Sequence, residues 1–296
     1  MTELAVIIPV FNEGKVIRRN LGEILNELAE SGIKFNFMIV DDGSSDNTWD
    51  ELKAAAEGLK NINLLRFSRN FGKEAAILAG IEHITAERYL IMDSDLQHPP
   101  RCVRAMLTLM ESGHENIIDG IKITRGKESG IHRLYAKTFY RLYKAATGIN
   151  LDNSSDFKLF DRHVAEALCG MREAYPFFRG LAGWAGFTRA PYYFTVDERL
   201  EGGSRFTPIK LMRLAFGALL SFSAKPLYLI FYAGVLMLVL AAALLIGTRG
   251  MALEISVLFT DSAILISLGV IGFYLARIYE EVKKRPRYIV SERIEK

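Results

Sequence analysis

Three short runs of this chain are apolar without interruption, and each stops at acidic or polar residues. They are residues 4–10 (Leu-Ala-Val-Ile-Ile-Pro-Val), 37–40 (Phe-Met-Ile-Val) and 89–92 (Tyr-Leu-Ile-Met). A strand with one wet face alternates apolar and polar side chains; a strand without alternation is covered on both faces. Helical patterns separate these runs. Residues 13–29 carry an apolar stripe of Leu21, Ile24, Leu25 and Leu28. Helices are also predicted over 72–84 and 100–111, with further strands at 62–67 and 116–121, and Asp46 as the N-cap of the helix after the second strand. Strands and helices alternating at this length predict an α/β fold: a mostly parallel, Rossmann-like sheet with helices on both faces.

The ends of those strands carry the chemistry. The first ends in Pro9-Val10-Phe11-Asn12-Glu13, the second in Asp41-Asp42-Gly43-Ser44, and the fourth in Asp93-Ser94-Asp95-Leu96-Gln97-His98-Pro99-Pro100. In an open α/β sheet such ends converge on one crevice. Asp93 and Asp95, two apart on extended chain, share a face and repel unless a cation joins them. A hard divalent ion, Mg²⁺ or Mn²⁺, suits oxygen ligands from Asp93, Asp95 and Gln97; the plainer alternative is an acidic turn closed by two prolines. Carboxylates also accept hydrogen bonds from base edges and ribose hydroxyls. No Gly-x-Gly-x-x-Gly follows the first strand and no Gly-Lys-Ser/Thr occurs, which disfavours dinucleotide and P-loop sites.

Beyond residue 122 the rhythm breaks. Residues 124–130 are polar and basic, a helix is predicted over 131–147, and short strands over 157–160 and 191–196. The net charge of +3 gives no reason to expect a nucleic-acid partner. Cys102 and Cys169 lack metal-ligand spacing and read as thiols of a reducing compartment. The first strand begins so early that no cleavable signal peptide is expected. The hydrophobic share of 50% is uneven, with most of the excess after Lys225. Residues 207–222 are apolar with a basic edge of Lys210 and Arg213, as in a helix lying in a membrane interface or an ordinary core helix. Residues 226–246 are free of charge, and 255–276 carry only Asp261. Each is long enough to cross about 30 Å of hydrocarbon, so a two-helix hairpin is predicted. Asp261 is expected near the outer end of its helix, or in a helix–helix contact. Basic residues flank the pair on one side (Lys210, Arg213, Lys225, Lys283, Lys284, Arg285, Arg287), against Arg249 between them, which puts the large domain in the cytoplasm. The expected domains are 1–206, an interfacial helix at 207–224, a membrane hairpin at 225–279 and a basic cytoplasmic tail at 280–296.

The three strand-end motifs together resemble the signatures of family 2 glycosyltransferases with the GT-A fold. Within that family the chain is most similar to polyprenyl-phosphate glycosyltransferases: dolichol-phosphate mannose synthases and bactoprenol glucosyltransferases. The resemblance extends through the hairpin to Arg285-Pro286-Arg287-Tyr288-Ile289-Val290. Phe11 stands where the family often has Tyr. The resemblance implies that Pro9, Phe11, Asn12, Glu13 and Ser94 line a nucleotide pocket, with Asp42, and Asp41 beside it, at the uracil or ribose. It implies that Asp93, Asp95 and Gln97 hold the metal, Asp156 is the catalytic carboxylate, and Arg125, Arg133 and Arg205 meet phosphates of donor and acceptor. The implied partners are a nucleotide-sugar donor, polyprenyl phosphate, the bilayer of a bacterial inner membrane and further copies of the chain in a homo-oligomer, a tetramer by resemblance.

Without the resemblance, Asp156 reads as a turn or cap residue before a strand, and the arginines as a solvated basic face by an anionic membrane. Two other functions compete. A processive polysaccharide synthase would carry a later Gln-x-x-Arg-Trp segment and more membrane helices, and neither is present. A non-enzymatic nucleotide-sugar-binding accessory of a flippase would have lost the carboxylates, yet Asp93, Asp95 and Asp156 are intact. The transferred sugar stays open, with UDP-glucose favoured over GDP-mannose, UDP-N-acetylglucosamine or an aminoarabinose donor.

Overall fold

The computed structural model describes residues 2–123, 155–174, 176–195 and 252–295, with scattered positions in 141–148 and 228–239. The chain divides into two compact units. One comprises Met1–Lys144, Ile149–Arg205 and Pro286–Lys296, the other Ala145–Gly148 and Phe206–Arg285.

The first unit is built on eight strands in the order β7-β5-β6-β4-β1-β2-β3-β8. These are β1 (Thr2–Val10), β2 (Phe35–Asp41), β3 (Ile62–Phe67), β4 (Ala86–Ile91), β5 (Ile117–Lys122), β6 (Lys158–Asp161), β7 (Arg189–Phe194) and β8 (Val290–Ile294). The β1–β2, β1–β4, β2–β3 and β5–β7 pairs are parallel. The β3–β8, β4–β6 and β5–β6 pairs are antiparallel. The sheet is therefore mixed rather than mostly parallel. Strand β6 lies between β4 and β5 and runs antiparallel to both. Its register pairs Ile91 with Lys158, which puts Asp156 at the carboxyl end of β4. Strand order also reverses at β1, with β2 on one side and β4 on the other, opening a crevice between the carboxyl ends of β1 and β4.

Both faces of the central strands are buried, as their unbroken apolar runs require. Leu4, Val6 and Ile8 of β1 join a core with Ile17, Leu21, Ile24 and Leu28 of α1 (Ile17–Glu30), Trp49 and Leu52 of α2 (Thr48–Ala56), and Val103 and Met106 of α4 (Val103–Gly113). Side chains of opposite parity face α3 (Lys73–Glu82), which is buried from Ala75 through Ile81. A Cβ on Gly80 of α3 would lie 2.4 Å from Ile7 Cγ2, so glycine is what lets this helix approach the sheet so closely. Helices α5 (Arg162–Gly170) and α6 (Phe178–Trp184) bury Leu168 and Phe178.

Several expected boundaries move. Helix α1 begins at Ile17 rather than residue 13, because Glu13 closes a turn through its carbonyl (Val16 N, 2.9 Å; Ile17 N, 3.0 Å) and turns its carboxylate inward. Pro100–Cys102 forms a 3₁₀ turn before α4. The N-cap position of α2 is Asn47, not Asp46; the Asp46 carboxylate still accepts the amide of Thr48 at 3.0 Å. In the stretch expected as a basic tail, helix extends to Lys283 and residues 290–294 form β8 at the edge of the sheet.

In the second unit α7 (Ala252–Lys283) runs for 32 residues. Its Phe259–Lys283 portion is 25 residues long, with a mean hydropathy of 1.7, and its most apolar stretch contains no buried residue. It is the one helix among the described residues long and apolar enough to cross a membrane. The expected interfacial helix at 207–222 lies outside the described residues, as does most of 226–246, of which positions 228, 230, 232–237 and 239 are helical.

Candidate active site

The first two loops at the crevice are zipped together by hydrogen bonds. Asn12, in the left-handed region (φ 54°), donates its amide to Ser44 Oγ at 2.9 Å, and its Oδ1 accepts from Ser45 N at 2.9 Å. The Glu13 amide donates to Thr48 Oγ1 at 2.8 Å, and that of Gly14 to Asp46 Oδ2 at 3.2 Å. Pro9 is the penultimate residue of β1, and Phe11, just past the strand's end, is 41% exposed. Residues with φ > 0 off glycine carry a strain of order 1 kcal/mol or more and persist where their surroundings over-determine them. Leu96, inside the Asp-Ser-Asp loop, is a second case at φ 61°.

The two carboxylates at the end of β2 face inward. Asp41 is fully buried and accepts Ser44 N at 3.0 Å and Ser44 Oγ at 2.5 Å. Asp42 accepts the amides of Phe71 and Gly72 at 2.7 and 2.9 Å, and burial pushes its pKa up to about 6. Asp42 thus ties the β2 loop to the β3–α3 connection. Gly43 makes the same junction from the other side: at φ +68°, a Cβ there would lie 2.3 Å from the Arg69 carbonyl carbon. Gly43→Ala combines a left-handed backbone with a clash against main chain. It is expected to cost on the order of 3 kcal/mol, read as a fall in the midpoint of thermal unfolding; an unchanged midpoint would contradict this packing.

The loop after β4 is fixed from beneath. Ser94 Oγ donates to Glu13, and its carbonyl accepts from Asn20 Nδ2 at 2.9 Å. Burial, and then the nearby Asp95 and Asp93, raise the pKa of Glu13. The Asp93 amide donates to His98 Nδ1 at 2.8 Å, so the ring proton of His98 sits on Nε2. His98 is buried, stacks on Phe157 at 4.8 Å, and has its pKa lowered by that burial. It is a neutral strut.

Lys73, the first residue of α3, joins two of the candidate carboxylates. Its Nζ is 2.6 Å from Asp93 Oδ1 and 2.8 Å from Asp156 Oδ2. Arg179 Nε of α6 is 2.6 Å from Asp156 Oδ1. Burial alone would raise the pKa of Asp156, but Arg179 and Lys73 outweigh it and hold the carboxyl well below its usual range. The same two carboxylates raise Lys73 against the pull of its own burial. Beside them Glu74 accepts the amide of Phe178 at 2.7 Å, and burial with the repulsion of Asp156 pushes it up to about 7.

Of the sequence candidates, Asp93 and Asp156 come together through Lys73, and Glu13 meets Ser94. Arg125, Arg133 and Arg205 lie outside the described residues. Sequence reasoning missed Lys73, Arg179 and His98. A lysine and a glutamate heading the otherwise apolar helix 75–81 were the available signal for Lys73 and Glu74. Among the described residues no three His, Cys, Asp or Glu side chains cluster as a closed metal site. The open pair Asp93 and Asp95 still fits a hard cation. Asp93 Oδ1 is buried, and among the described residues it faces Lys73 Nζ at 2.6 Å. Asp95 is exposed and accepts the amide of Gln97 at 3.1 Å.

Residues 5–169 match the description of Glycosyl transferase family 2. The chain is 30% identical to a bactoprenol glucosyl transferase of Shigella phage SfX, over 98% of this chain and 99% of that protein. It is also 30% identical to a prophage bactoprenol glucosyl transferase homolog of Escherichia coli K12, over 98% of each. Its fold is similar to that of the glucosyl-3-phosphoglycerate synthase from Mycobacterium tuberculosis in complex with Mn²⁺, UDP-glucose and phosphoglyceric acid. The TM-score is 0.54 at 17% identity, covering 74% of this chain and 79% of that one. The mixed sheet is GT-A-like, and the chain is a glycosyltransferase belonging to glycosyl transferase family 2.

Proposed function

We propose that this glycosyltransferase is membrane-bound and moves glucose from UDP-glucose onto polyprenyl phosphate, inverting the anomeric centre. The observation that carries the reading is the meeting of Asp93, Lys73, Asp156 and Arg179 at one sheet edge, beside the interlocked loops of β1 and β2. Relatives named for bactoprenol support the acceptor class, and a fold neighbour solved with Mn²⁺ and UDP-glucose is consistent with the donor and a divalent ion.

The roles follow from chemistry. Phe11, Asn12, Glu13 and the turn from Asp41 to Ser44 hold the nucleoside. Asp93 and Asp95, with Gln97, would hold the divalent ion, which would supply charge stabilisation at the leaving diphosphate. The acceptor phosphate has a second pKa near 6 and is mostly ionised at pH 7, so the reaction needs little base strength. A carboxyl held below its usual range by two cations is a poor proton acceptor. Asp156 therefore acts by fixing Lys73 and Arg179 where negative charge gathers. Arg125, Arg133 and Arg205 add further phosphate contacts.

Helix α7, the helical positions within 226–246 and the basic flanks support a two-helix membrane hairpin with the catalytic unit in the cytoplasm. The segment at 207–222 then lies in the interface, where a polyprenyl phosphate presents its headgroup.

The test is incubation of membranes holding the protein with radiolabelled UDP-glucose, GDP-mannose and UDP-N-acetylglucosamine, with and without polyprenyl phosphate. Label is expected in the lipid extract only from UDP-glucose with the acceptor present. Transfer from another donor would replace the sugar, and no lipid label from any donor would overturn the acceptor.

A further inference from the structure

Strand β8 does more than close an edge. It runs antiparallel to β3, with Glu292 directly opposite Arg66, and the register shifts between Arg66 and Phe67. Such an irregularity bends the strand and re-aims a side chain. Here the Arg66 guanidinium reaches four groups. Its Nη1 lies 3.3 Å from Glu292 Oε1, its Nη2 donates to the Ser44 carbonyl at 3.3 Å, and its Nε lies 3.4 Å from Asp41 Oδ2. Its fourth contact is the Trp49 ring, with the centroid 5.6 Å away. Glu292 holds the other end of this arrangement by accepting from Trp49 Nε1 at 2.9 Å.

The dependence on Arg66 is specific. Asp41 is fully buried, and its Oδ2 accepts no hydrogen bond; Arg66 is the cation that faces it. A second line runs from the same segment to Asp42. Tyr288 stacks on Phe67 at 4.9 Å, and Phe67 meets Phe71 edge-on at 5.7 Å. The amides of Phe71 and Gly72 are the donors to Asp42. Tyr288 is anchored in turn: its hydroxyl donates to Glu82, and Arg287 Nη2 reaches the same carboxylate at 2.7 Å. Both acidic residues at the end of β2 are thus braced from residues 287–292.

We infer that Arg66, held by Glu292 of β8, is the positioning residue of the nucleotide loop, so the C-terminal strand forms part of the donor site. The inference rests on the reading of the Asp41–Ser44 turn as the nucleoside pocket. Its chemistry is an arginine fork that neutralises a buried carboxylate and pins the carbonyl of the turn. Ser44 also accepts the amide of Asn12, so loosening the turn releases the first loop with it.

The test uses the full-length protein, with donor and acceptor KM, kcat, calorimetric UDP affinity and the unfolding midpoint measured for Arg66→Met, Arg66→Lys, Glu292→Lys and Arg66→Met/Glu292→Lys. Arg66→Met is expected to raise donor KM and the UDP Kd by about tenfold or more, because a buried carboxylate loses its partner. The kcat and acceptor KM stay within about twofold, the signature of lost ground-state binding. Arg66→Lys keeps the charge without the fork and falls between. Glu292→Lys shifts donor KM in the same direction by about three- to fivefold, as for a half-exposed pair. The double variant is no worse than Arg66→Met, because Glu292 acts through Arg66. A donor KM within twofold of wild type in Arg66→Met would overturn the inference; if that variant does not fold, the same result in Glu292→Lys would. So would fully additive effects, or equal losses in kcat and acceptor KM. If Asp42→Ala also leaves UDP affinity intact, the pocket reading fails; if Asp42→Ala weakens UDP while Arg66→Met does not, only this inference fails.

Discussion

Asp156→Asn is expected to lower kcat by about 10²–10⁴ while UDP affinity stays within a few fold, the range for losing a positioned polar group at the reacting centre. Asparagine keeps the shape and removes the charge. Lys73 and Arg179 then lose the anion they share, although Lys73 keeps Asp93 at 2.6 Å. The two cations drift, and charge developing on the phosphates goes unmatched. UDP binding is expected to be spared because the ion pairs of Asp156 run to Lys73 and Arg179 rather than to the loops proposed for the nucleotide. Lys73→Met should fall in the same range, since it strips the bridge from the other side. The measurements are calorimetric titration of UDP with Mg²⁺ or Mn²⁺ and a transfer assay with polyprenyl phosphate. Wild-type transfer by Asp156→Asn would reduce the residue to a turn-former before β6. Loss of UDP binding would move it into the donor pocket.

The other large effect is on metal dependence. Chelation with EDTA is expected to abolish transfer, and Mg²⁺ or Mn²⁺ to restore it. Asp95→Asn should cost roughly 10³ in rate with no change in the unfolding midpoint, because an anionic ligand is lost where little structure depends on it. Asp95 is exposed and, among the described residues, holds the Gln97 amide. Asp93→Asn should be as inactive but also less stable, since Asp93 faces a partly buried lysine. The contrast between the two separates metal binding from scaffolding. Full activity after exhaustive chelation would remove the metal from the reaction.

The legible part of this protein is what local sequence dictates. Unbroken apolar runs marked β1, β2 and β4 as doubly covered strands, and polar residues at their ends marked the crevice. In the structure Glu13 meets Ser94, and Asp93 meets Asp156 through Lys73. What stayed hidden is made by partners far apart in sequence. Lys73 meets Asp156 across 83 residues, and no periodicity announces that contact. The antiparallel entry of β6 was hidden as well, because a four-residue strand carries no mark of direction. His98 looked like part of a proline-rich stop; only the fold turns its ring onto Phe157 and its Nδ1 toward the backbone. Strand β8 was masked by its composition: Ser291, Glu292 and Arg293 read as a charged tail, yet an edge strand needs pairing on one side only and tolerates such residues.

That edge position has a consequence for how the molecule is made. The outer rim of β3 finds its partner only when residue 292 has been synthesised, 226 residues after Arg66. At about 5–20 residues per second, β3 waits on the order of 10–45 s with its main-chain donors and acceptors open. Throughout that interval the nascent sheet is a template for any extended chain nearby, and the ribosome must deliver the long apolar helix α7 before the strand that closes it.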